Sequence, residues 1–406
     1  MKVVALIAPF FQDNTLRYLR ALADLPVKAC VISQDPSSKL PPDLRRKLAG
    51  HYRVDNSLDG PQIAQAAVGL GKQVGPVDRL LGVLEQLQIP VAEARDLVGI
   101  EGMNLATAHN FRDKAKMKDV LRGAGLPCAR HRLVQADADA RALVAEAGFP
   151  IILKPVDGLG SRGTYRIRNE EELQQALKAL KPSRSRPLQA EEFVQGTEQT
   201  CETVTIRGKP VWHSGTHYLP GPLEVLENPW IQYCVLLPRE EDDADFVGFQ
   251  QVNTDALTAL GMDTGLSHME WFRRKDGSPV VSEVGARPPG VHIMPMMSIV
   301  NDCDMIERWT RLMVFDEFEP VKRQYAAGAA FFRGQGKGRR VTAVHGLDQA
   351  QAEVGQYVVS RDLPKVGQAA ASSYEGEGWA IVKADTTEEV RHALKRLVTL
   401  VRVELG

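Results

Sequence analysis

The chain has 406 residues, of which 44% are hydrophobic and 25% are charged, and its formal net charge at pH 7 is -1. These are ordinary values for a globular protein that is long enough for two or three domains. A net charge near zero gives no electrostatic reason to expect a nucleic acid or an anionic membrane as a partner. No apolar run reaches the roughly 18 to 20 residues that span a bilayer, so we expect no membrane association.

The cysteines and the N-terminal residues indicate the cellular compartment of the protein. Val3 to Ala8 is too short an apolar run for the core of a signal peptide, and polar residues follow it. The cysteines form no C-x-x-C pair and are odd in number, which is typical of free thiols in a reducing compartment. They are Cys30, Cys128, Cys201, Cys234 and Cys303. We therefore expect a cytoplasmic protein.

The first hundred residues alternate between strand and helix patterns. Val3 to Ala8 is typical of a buried parallel strand, a helix pattern follows it, and Val27 to Ser33 is a second strand. This β-α-β opening indicates a parallel sheet. Farther on, the pattern predicts a helix over Arg79 to Leu87 and a short extended piece over Ile89 to Val91. We expect a doubly wound, Rossmann-like domain over residues 1–108, without a glycine fingerprint for a dinucleotide after its first strand.

A predicted hairpin places two carboxylates opposite each other. Lys275 to Ser278 is a turn signal, and the flanking segments Ser267 to Arg273 and Pro279 to Val284 are typical of strands. If they pair, Glu270 and Glu283 face one pocket, because side chains alternate between the faces of a strand. Two such carboxylates, completed by substrate phosphates, are how Mg²⁺ is usually held. The alternative is a pair of exposed glutamates on a solvated hairpin.

Basic residues accompany this pair along the chain. Arg287, four residues after Glu283, would stabilise a developing phosphoryl or acyl-phosphate charge, or would simply pair with a glutamate. Lys114 lies on an amphipathic helix, where most lysines are only solvated. Lys154 ends the predicted strand Phe149 to Pro155. Its position just before a glycine-rich loop favours a role in phosphate binding.

The loop after Lys154 matches the spacing G-x-G-x-x-G through Gly158, Gly160 and Gly163. A dinucleotide fingerprint needs a helix directly after the glycines, to bring its N-terminus to the pyrophosphate. Here Thr164 to Arg168 alternates like a strand. The pattern therefore favours a flap whose backbone amides close over phosphates. A plain glycine-rich hairpin is the alternative, and an NAD-dependent oxidoreductase is the function that the literal motif leaves open.

Taken in order, these residues resemble the ATP-grasp family over roughly residues 110–316. An acidic edge strand with Glu191 and Glu198 completes the set of motifs. The resemblance implies two α+β lobes that clamp ATP between their sheets, a small lobe over residues 109–190 and a large lobe over residues 191–318. With the N-terminal domain and a small C-terminal α+β domain over residues 319–406, the fold class is mixed α/β and α+β.

The resemblance also implies a role for each site residue. The phosphate ligands would be Lys114, Lys154 and the glycine-rich lid with Gly158, Gly160, Ser161 and Gly163. The adenine would be read by Glu191 and the backbone around Phe193 and Val194, and the ribose by Glu198. Glu270 and Glu283 would hold Mg²⁺, or Mn²⁺ in its place, and Arg287 would be the catalytic residue. Gly285 stands where the family often has an asparagine, which leaves the number of metal ions open.

Two further residues are candidates for the second substrate. Glu202 follows the ribose glutamate on the same predicted strand and would bind an amine, unless it is an exposed strand residue. His292 lies in the loop after the metal strand and would bind a carboxylate or transfer a proton. The alternative for His292 is a packing role.

The resemblance implies an ATP-dependent ligase that joins a small-molecule carboxylate to an amine through an acyl phosphate and releases ADP and phosphate. One alternative keeps the fold but changes the acceptor, a bicarbonate-activating carboxylase of the biotin or purine-pathway type. Another is a nucleotide-binding regulator without turnover. The sequence leaves the oligomeric state open, and a homodimer, the commonest arrangement among soluble enzymes, is a candidate.

Overall fold

A computed structural model describes residues 1–156, 163–240, 244–371 and 373–406, with only the backbone at Ala244, Asp245 and Val247. The N-terminal unit is a parallel sheet with strand order β3-β2-β1-β4 and helices around it. Its elements are β1 (Val3–Ile7), α1 (Asp13–Asp24), β2 (Lys28–Ser33), α2 (Pro42–Lys47), β3 (Gly50–Arg53), α3 (Gly60–Val74), β4 (Arg79–Gly82), α4 (Gln88–Val98) and α5 (Leu105–Arg112).

Both faces of this sheet are covered. Val4 and Leu6 of β1 pack into one core with Leu19 of α1. Their neighbours Val3, Ala5 and Ile7 pack into a second core with α3 residues such as Ile63. Because successive side chains of a strand point to opposite faces, a continuous apolar run is what a strand between two helix layers requires. The predicted doubly wound arrangement is confirmed.

The predicted helix over Arg79 to Leu87 is wrong. Arg79–Gly82 is β4, which pairs in parallel with β1, and only Glu85–Leu87 forms a short 3-10 turn. The apolar run of a strand buried on both faces has no period of two, so it resembles a helical pattern. The extended piece predicted at Ile89 to Val91 is also wrong, since it lies in α4, whose first turn accepts Pro90. The turn after β4 carries Glu85 into the site described below.

The next unit is a small antiparallel sheet with order β5-β8-β6-β7, backed by helices. Its elements are α6 (Lys114–Gly123), β5 (His131–Val134), α7 (Asp137–Ala147), β6 (Ile151–Pro155), β7 (Tyr165–Ile167), α8 (Glu170–Leu180) and β8 (Leu188–Glu192). Leu153 of β6 packs against Leu143 of α7 and Leu173 of α8 in one core. The strand predicted after the glycines is β7, so no helix begins there.

The rest of the chain builds a large sheet with order β13-β12-β9-β10-β11-β14-β18-β17 and a smaller one with order β15-β19-β16. The first elements are β9 (Thr197–Ile206), β10 (Lys209–Leu219), α9 (Pro222–Glu227), β11 (Tyr233–Leu237), α10 (Ala244–Leu260), β12 (Gly265–Arg273), β13 (Pro279–Gly285), α11 (Ile293–Val300) and α12 (Met305–Phe315). The last are β14 (Ala326–Phe332), β15 (Gly334–Gln335), β16 (Val341–His345), α13 (Leu347–Val354), a 3-10 turn (Gly355–Tyr357), β17 (Val358–Asp362), β18 (Gly378–Ala384), α14 (Thr387–Leu400) and β19 (Arg402–Leu405).

The large sheet continues across residues 318 and 319, the predicted boundary between the large lobe and a C-terminal domain. β14 pairs with β11, and β18 and β17 continue the same sheet. The C-terminal segment therefore extends the sheet that carries the predicted metal strands β12 and β13. Within the described ranges, no helix is both long and apolar enough to cross a membrane.

Candidate active site

A cavity lies between the small sheet and the large sheet, and most of the predicted site residues line it. The nine predicted residues at its wall are Lys114, Lys154, Glu191, Phe193, Val194, Glu198, Glu270, Glu283 and Arg287. Gly163 adopts a positive φ of 72° just before β7. Gly158, Gly160 and Ser161 of the predicted lid lie outside the described residues. The wall residues come from several elements far apart in sequence, so the fold assembles the site.

The predicted hairpin brings the two candidate metal ligands together. Glu270 on β12 and Glu283 on β13 are direct partners in the antiparallel register, and the register shifts just after Glu270. Glu270 accepts a hydrogen bond from Tyr218 Oη at 3.3 Å, and Glu283 Oε1 lies 2.8 Å from Lys114 Nζ. Burial raises the pKa of Glu283, but the ammonium groups of Lys114 and Lys154 outweigh it and lower the pKa. Glu283 is therefore kept in the charged form that a metal needs.

These carboxylates suit a hard divalent cation. No group of three or more His, Cys, Asp or Glu side chains that could hold a metal ion occurs among the described residues. Two carboxylates therefore leave most of the coordination sphere to water and substrate oxygens. This is the donor set that Mg²⁺ prefers, since it retains water and binds through one or two carboxylates plus phosphates.

Lys154 reaches the cavity from the carboxyl end of β6. Its Nζ lies 2.8 Å from Glu191 Oε1 on the neighbouring strand β8. Burial lowers the pKa of Lys154, but the carboxylates of Glu191 and Glu283 outweigh it and raise the pKa. Burial likewise raises the pKa of Glu191, and the charges of Lys118 and Lys154 outweigh it and lower the pKa to about 2. Both side chains are thus charged and held by each other.

Part of the cavity wall is apolar, and this part is called the apolar slot. Phe193 and Val194 follow β8 and line the slot. Other apolar residues of the cavity wall include Ala129, Ile152, Phe272 and Val281. The guanidinium of Arg166 lies 4.3 Å from the centre of the Phe193 ring and pairs with Glu227 of α9 at 2.9 Å. A slot of this composition suits a flat base, because apolar faces bury its rings.

Glu198 lies at the start of β9 and lines the same cavity. Burial and the neighbouring charge of Glu270 raise its pKa well above the ordinary value. A carboxyl group accepts hydrogen bonds from hydroxyl groups, and its protonated form also donates one, so Glu198 suits a ligand that carries hydroxyl groups.

Arg287 connects the metal strands to the N-terminal unit. Its Nε donates to Glu85 Oε2, in the turn after β4, and its Nη1 donates to the carbonyl of Pro288 at 2.8 Å. Arg112 also lies near Glu85, with 3.6 Å between Arg112 Nε and Glu85 Oε1. Glu85 was not predicted as a site residue, because the sequence pattern indicated a helix there and no local motif marks this residue.

His268 is a second residue that the sequence analysis did not place in the site. It lies two residues before Glu270 on β12 and lines the cavity. Its Nδ1 lies 2.8 Å from Glu202 Oε1, and its Nε2 lies 3.7 Å from Glu270 Oε1. Burial lowers the pKa of His268, but Glu202 and Glu270 outweigh it and raise the pKa to about 9. The imidazole is therefore a cation at neutral pH.

The two candidates for the second substrate lie behind the wall. Glu202 is 0% exposed, and besides His268 it accepts hydrogen bonds from Thr200 Oγ1 at 2.8 Å and Thr216 Oγ1 at 3.1 Å. His292 precedes α11 in a left-handed conformation, and its ring centre lies 4.2 Å from that of Trp379. Burial and the charge of Arg17 lower the pKa of His292 to about 4. Among the described wall residues, neither Glu202 nor His292 is present.

Two tyrosines complete the wall on the side of the C-terminal segment. The hydroxyl group of Tyr218 donates a hydrogen bond to Glu270. Tyr374 lines the cavity from the connection before β18. Tyr233 packs between them, with ring centres 6.0 Å from Tyr218 and 5.3 Å from Tyr374. These tyrosines were not predicted as site residues, since a tyrosine in a strand or loop carries no spacing signal.

A small antiparallel sheet facing a larger sheet, with a charged cavity between them, defines an ATP-grasp fold. Residues 119–294 match the family model of the ATP-grasp domain. The crystal structure of an L-amino acid ligase from Bacillus licheniformis superimposes with a TM-score of 0.77 at 19% sequence identity, covering 100% of this chain and 99% of that chain. The chain carries an ATP-grasp domain, and the predicted family and fold are confirmed.

Relatives in sequence agree with this family. An uncharacterized protein y4rH of Sinorhizobium fredii is 29% identical over 246 residues, which is 59% of this chain and 49% of that protein. An L-arginine-specific L-amino acid ligase of Bacillus subtilis is 26% identical over 252 residues, which is 61% of this chain and 60% of that protein. The chain thus matches about half to three fifths of the length of these curated relatives.

Proposed function

We propose that the protein is an ATP-dependent ligase that joins a small-molecule carboxylate to an amine through an acyl phosphate and releases ADP and phosphate. The observation that carries the proposal is the convergence of Lys114, Lys154, Glu270, Glu283 and Arg287 on one cavity. Three cations for phosphoryl oxygens beside two carboxylates for a metal are the groups that phosphoryl transfer needs. The relative named as an L-amino acid ligase supports an amino acid as one substrate.

ATP fits the order of groups along the cavity. The base would lie in the apolar slot beside Phe193, the ribose hydroxyls at Glu198, and the phosphates at Lys154 and Lys114. Glu270 and Glu283 would hold Mg²⁺, which when bound neutralises charge on the transferred phosphoryl group. Glu270 and Glu283 can hold a metal ion without an asparagine at position 285, where this chain has a glycine. The site therefore suits at least one ion.

The reaction would need positioning and charge stabilisation more than a protein nucleophile. The substrate carboxylate would attack the γ-phosphorus, the bond to the β-phosphate oxygen would break, and ADP would leave. The amine would then attack the acyl carbon, lose a proton and expel phosphate. Arg287 would stabilise the charge that develops on the phosphoryl and acyl oxygens, which its fork of N–H donors suits.

The test is release of ADP and phosphate from Mg·ATP with amino acids supplied singly and in pairs, and with bicarbonate in a separate arm. We expect release that depends on a pair of substrates and is lost in Glu283→Gln. A matched control is Asp276→Asn at the tip of the same hairpin, where the side chain contacts only its own turn in the described structure. Formation of AMP and pyrophosphate would contradict the acyl-phosphate mechanism.

The separate arms distinguish the alternatives. Turnover that requires bicarbonate would point to a carboxylase. ATP binding without turnover in any arm, together with unchanged biological activity of Glu283→Gln and Arg287→Met, would point to a regulator. Other small-molecule carboxylates are candidate substrates besides the amino acids. We propose a homodimer as the assembly, and light scattering tests it.

A further inference from the structure

Lys118 is a buried lysine that lies behind the proposed phosphate site. It is on α6, one helical turn after Lys114, and is 1% exposed. Its Nζ donates to the carbonyl of Ser282 at 2.9 Å and lies 3.5 Å from Glu191 Oε1. Among the described wall residues of the cavity, Lys118 is absent. A ligand in the cavity therefore has no direct contact with it.

A lysine in this position is costly to bury. Burial lowers the pKa of Lys118, with the charge of Glu191 acting in the opposite direction. A buried ammonium needs partners that compensate for the lost water. The partners here are one carboxylate and one carbonyl, and the carboxylate is the same one that contacts Lys154. This sharing suggests a function beyond packing.

Glu191 is fixed from several directions. Its Oε1 lies 2.8 Å from Lys154 Nζ and 3.5 Å from Lys118 Nζ, and Gln189 Nε2 donates to it at 3.4 Å. Glu191 is 6% exposed, on the strand β8 that pairs with β6. The carboxylate thus faces the lysines, although the resemblance assigns it to the adenine. Its contacts instead suit a role in holding Lys154.

We propose that Lys118 is a positioning residue that acts through Glu191 to orient Lys154 and to leave its charge available to the phosphates of a nucleotide. This inference rests on the proposed function. With Lys154 and Glu191 alone, the pair is neutral, and a phosphate competes with the carboxylate for one ammonium. With Lys118 sharing Glu191, the three side chains carry a net charge of about +1 when all are ionised. Lys114 is paired with Glu283 at 2.8 Å in the described structure, so the excess charge beside Lys154 comes from Lys118.

The test is a comparison of nucleotide affinities by titration calorimetry. In Lys118→Met, we expect the dissociation constants of ATP and ADP to rise about 10- to 100-fold, the effect typical of a lost charge-assisted contact. The dissociation constant of adenosine should stay unchanged, because adenosine has no phosphate. Lys118→Arg should restore much of the ATP affinity. Lys116→Met, on the exposed side of the same helix, is the matched control.

A double-mutant cycle with Glu191→Gln tests the path of the effect. Lys118→Met should cost much less ATP affinity in the Glu191→Gln background, because the positioned group is already lost. Equal losses of ATP affinity in both backgrounds would overturn the proposal, as would equal losses for ATP and adenosine. If Lys118→Met does not fold, Glu191→Gln alone tests the proposal. Unchanged ATP affinity or a loss of adenosine affinity in Glu191→Gln would contradict it. Failure of the wild-type protein to bind ATP would instead contradict the proposed function.

Discussion

The side chains of Lys114 and Glu283 form an ion pair, with 2.8 Å between Nζ and Oε1. Lys114 begins α6, where Asp113 caps the helix by accepting hydrogen bonds from the backbone N–H groups of Ala115 and Lys116. Glu283 is near the end of β13. The pair thus joins a proposed phosphate ligand to a proposed metal ligand. A bound Mg·ATP would have to exchange this contact for a phosphate at Lys114 and a metal at Glu283.

Replacing Lys114 tests this exchange. We expect Lys114→Met to raise the dissociation constant of ATP about 10- to 100-fold through loss of a charge-assisted contact. It should also raise the pKa of Glu283, because Lys114 is the largest charge that lowers it. Calorimetric titrations with ATP between pH 5 and pH 8 measure both effects. Unchanged ATP affinity in Lys114→Met would exclude the lysine from the phosphate site.

Glu270 provides a test of the metal site. We expect EDTA to stop ADP formation, and Glu270→Gln to raise the Mg²⁺ concentration needed for half-maximal activity about tenfold or more, because a charged ligand becomes neutral. The measurement is ADP release against free Mg²⁺ at saturating ATP. Asp276→Asn should keep the wild-type dependence on Mg²⁺. The same dependence in Glu270→Gln would rule this residue out as a ligand.

Arg287 is expected to act on turnover more than on ATP binding. Arg287→Met should lower kcat by a factor on the order of 10² to 10³, the loss typical of one group that stabilises transition-state charge. The dissociation constant of ATP should change much less. Stopped-flow or steady-state ADP release with calorimetry separates the two. A loss that appears wholly as weaker ATP binding would assign Arg287 to ground-state binding instead.

His268 makes stability depend on pH. Its pKa is raised to about 9 in the folded chain, above an unfolded value of about 6.5. A group of this kind contributes stability that is fully present below about pH 6.5 and is lost as the pH rises through about 9. The contribution is at most about 3 kcal/mol.

The measurement for His268 is the free energy of unfolding in urea at pH 6.5 and pH 9.5, with EDTA present so that no metal competes at Glu270. The free energy of unfolding of the wild type should exceed that of His268→Gln by more at pH 6.5 than at pH 9.5. Glu202→Gln should show a reduced pH dependence, because Glu202 is the principal partner of His268. A gap between wild type and His268→Gln that does not change with pH would contradict the prediction.

The sequence by itself determined the elements whose signals are local. The turn at Lys275 to Ser278 and the alternation around it predicted the hairpin, and the register then placed Glu270 opposite Glu283. Lys154 was predicted at a strand end before a glycine loop, which is again a short-range pattern. The order of these motifs along the chain was enough to predict the resemblance to the ATP-grasp family. In each case the physical cause, turn chemistry or strand alternation, acts over a few residues.

Only the tertiary structure decided which remote residues complete the site. Arg287 and Glu85 are 202 positions apart, and Lys118 and its acceptor Ser282 are 164 apart. A lysine on an amphipathic helix is usually solvated, so nothing local distinguishes buried Lys118 from exposed Lys116. Likewise, Glu202 and His292 are polar residues at plausible positions, but burial in the large sheet and packing on Trp379 put them behind the wall. Burial and pairing depend on which elements pack together, and local patterns do not carry that information.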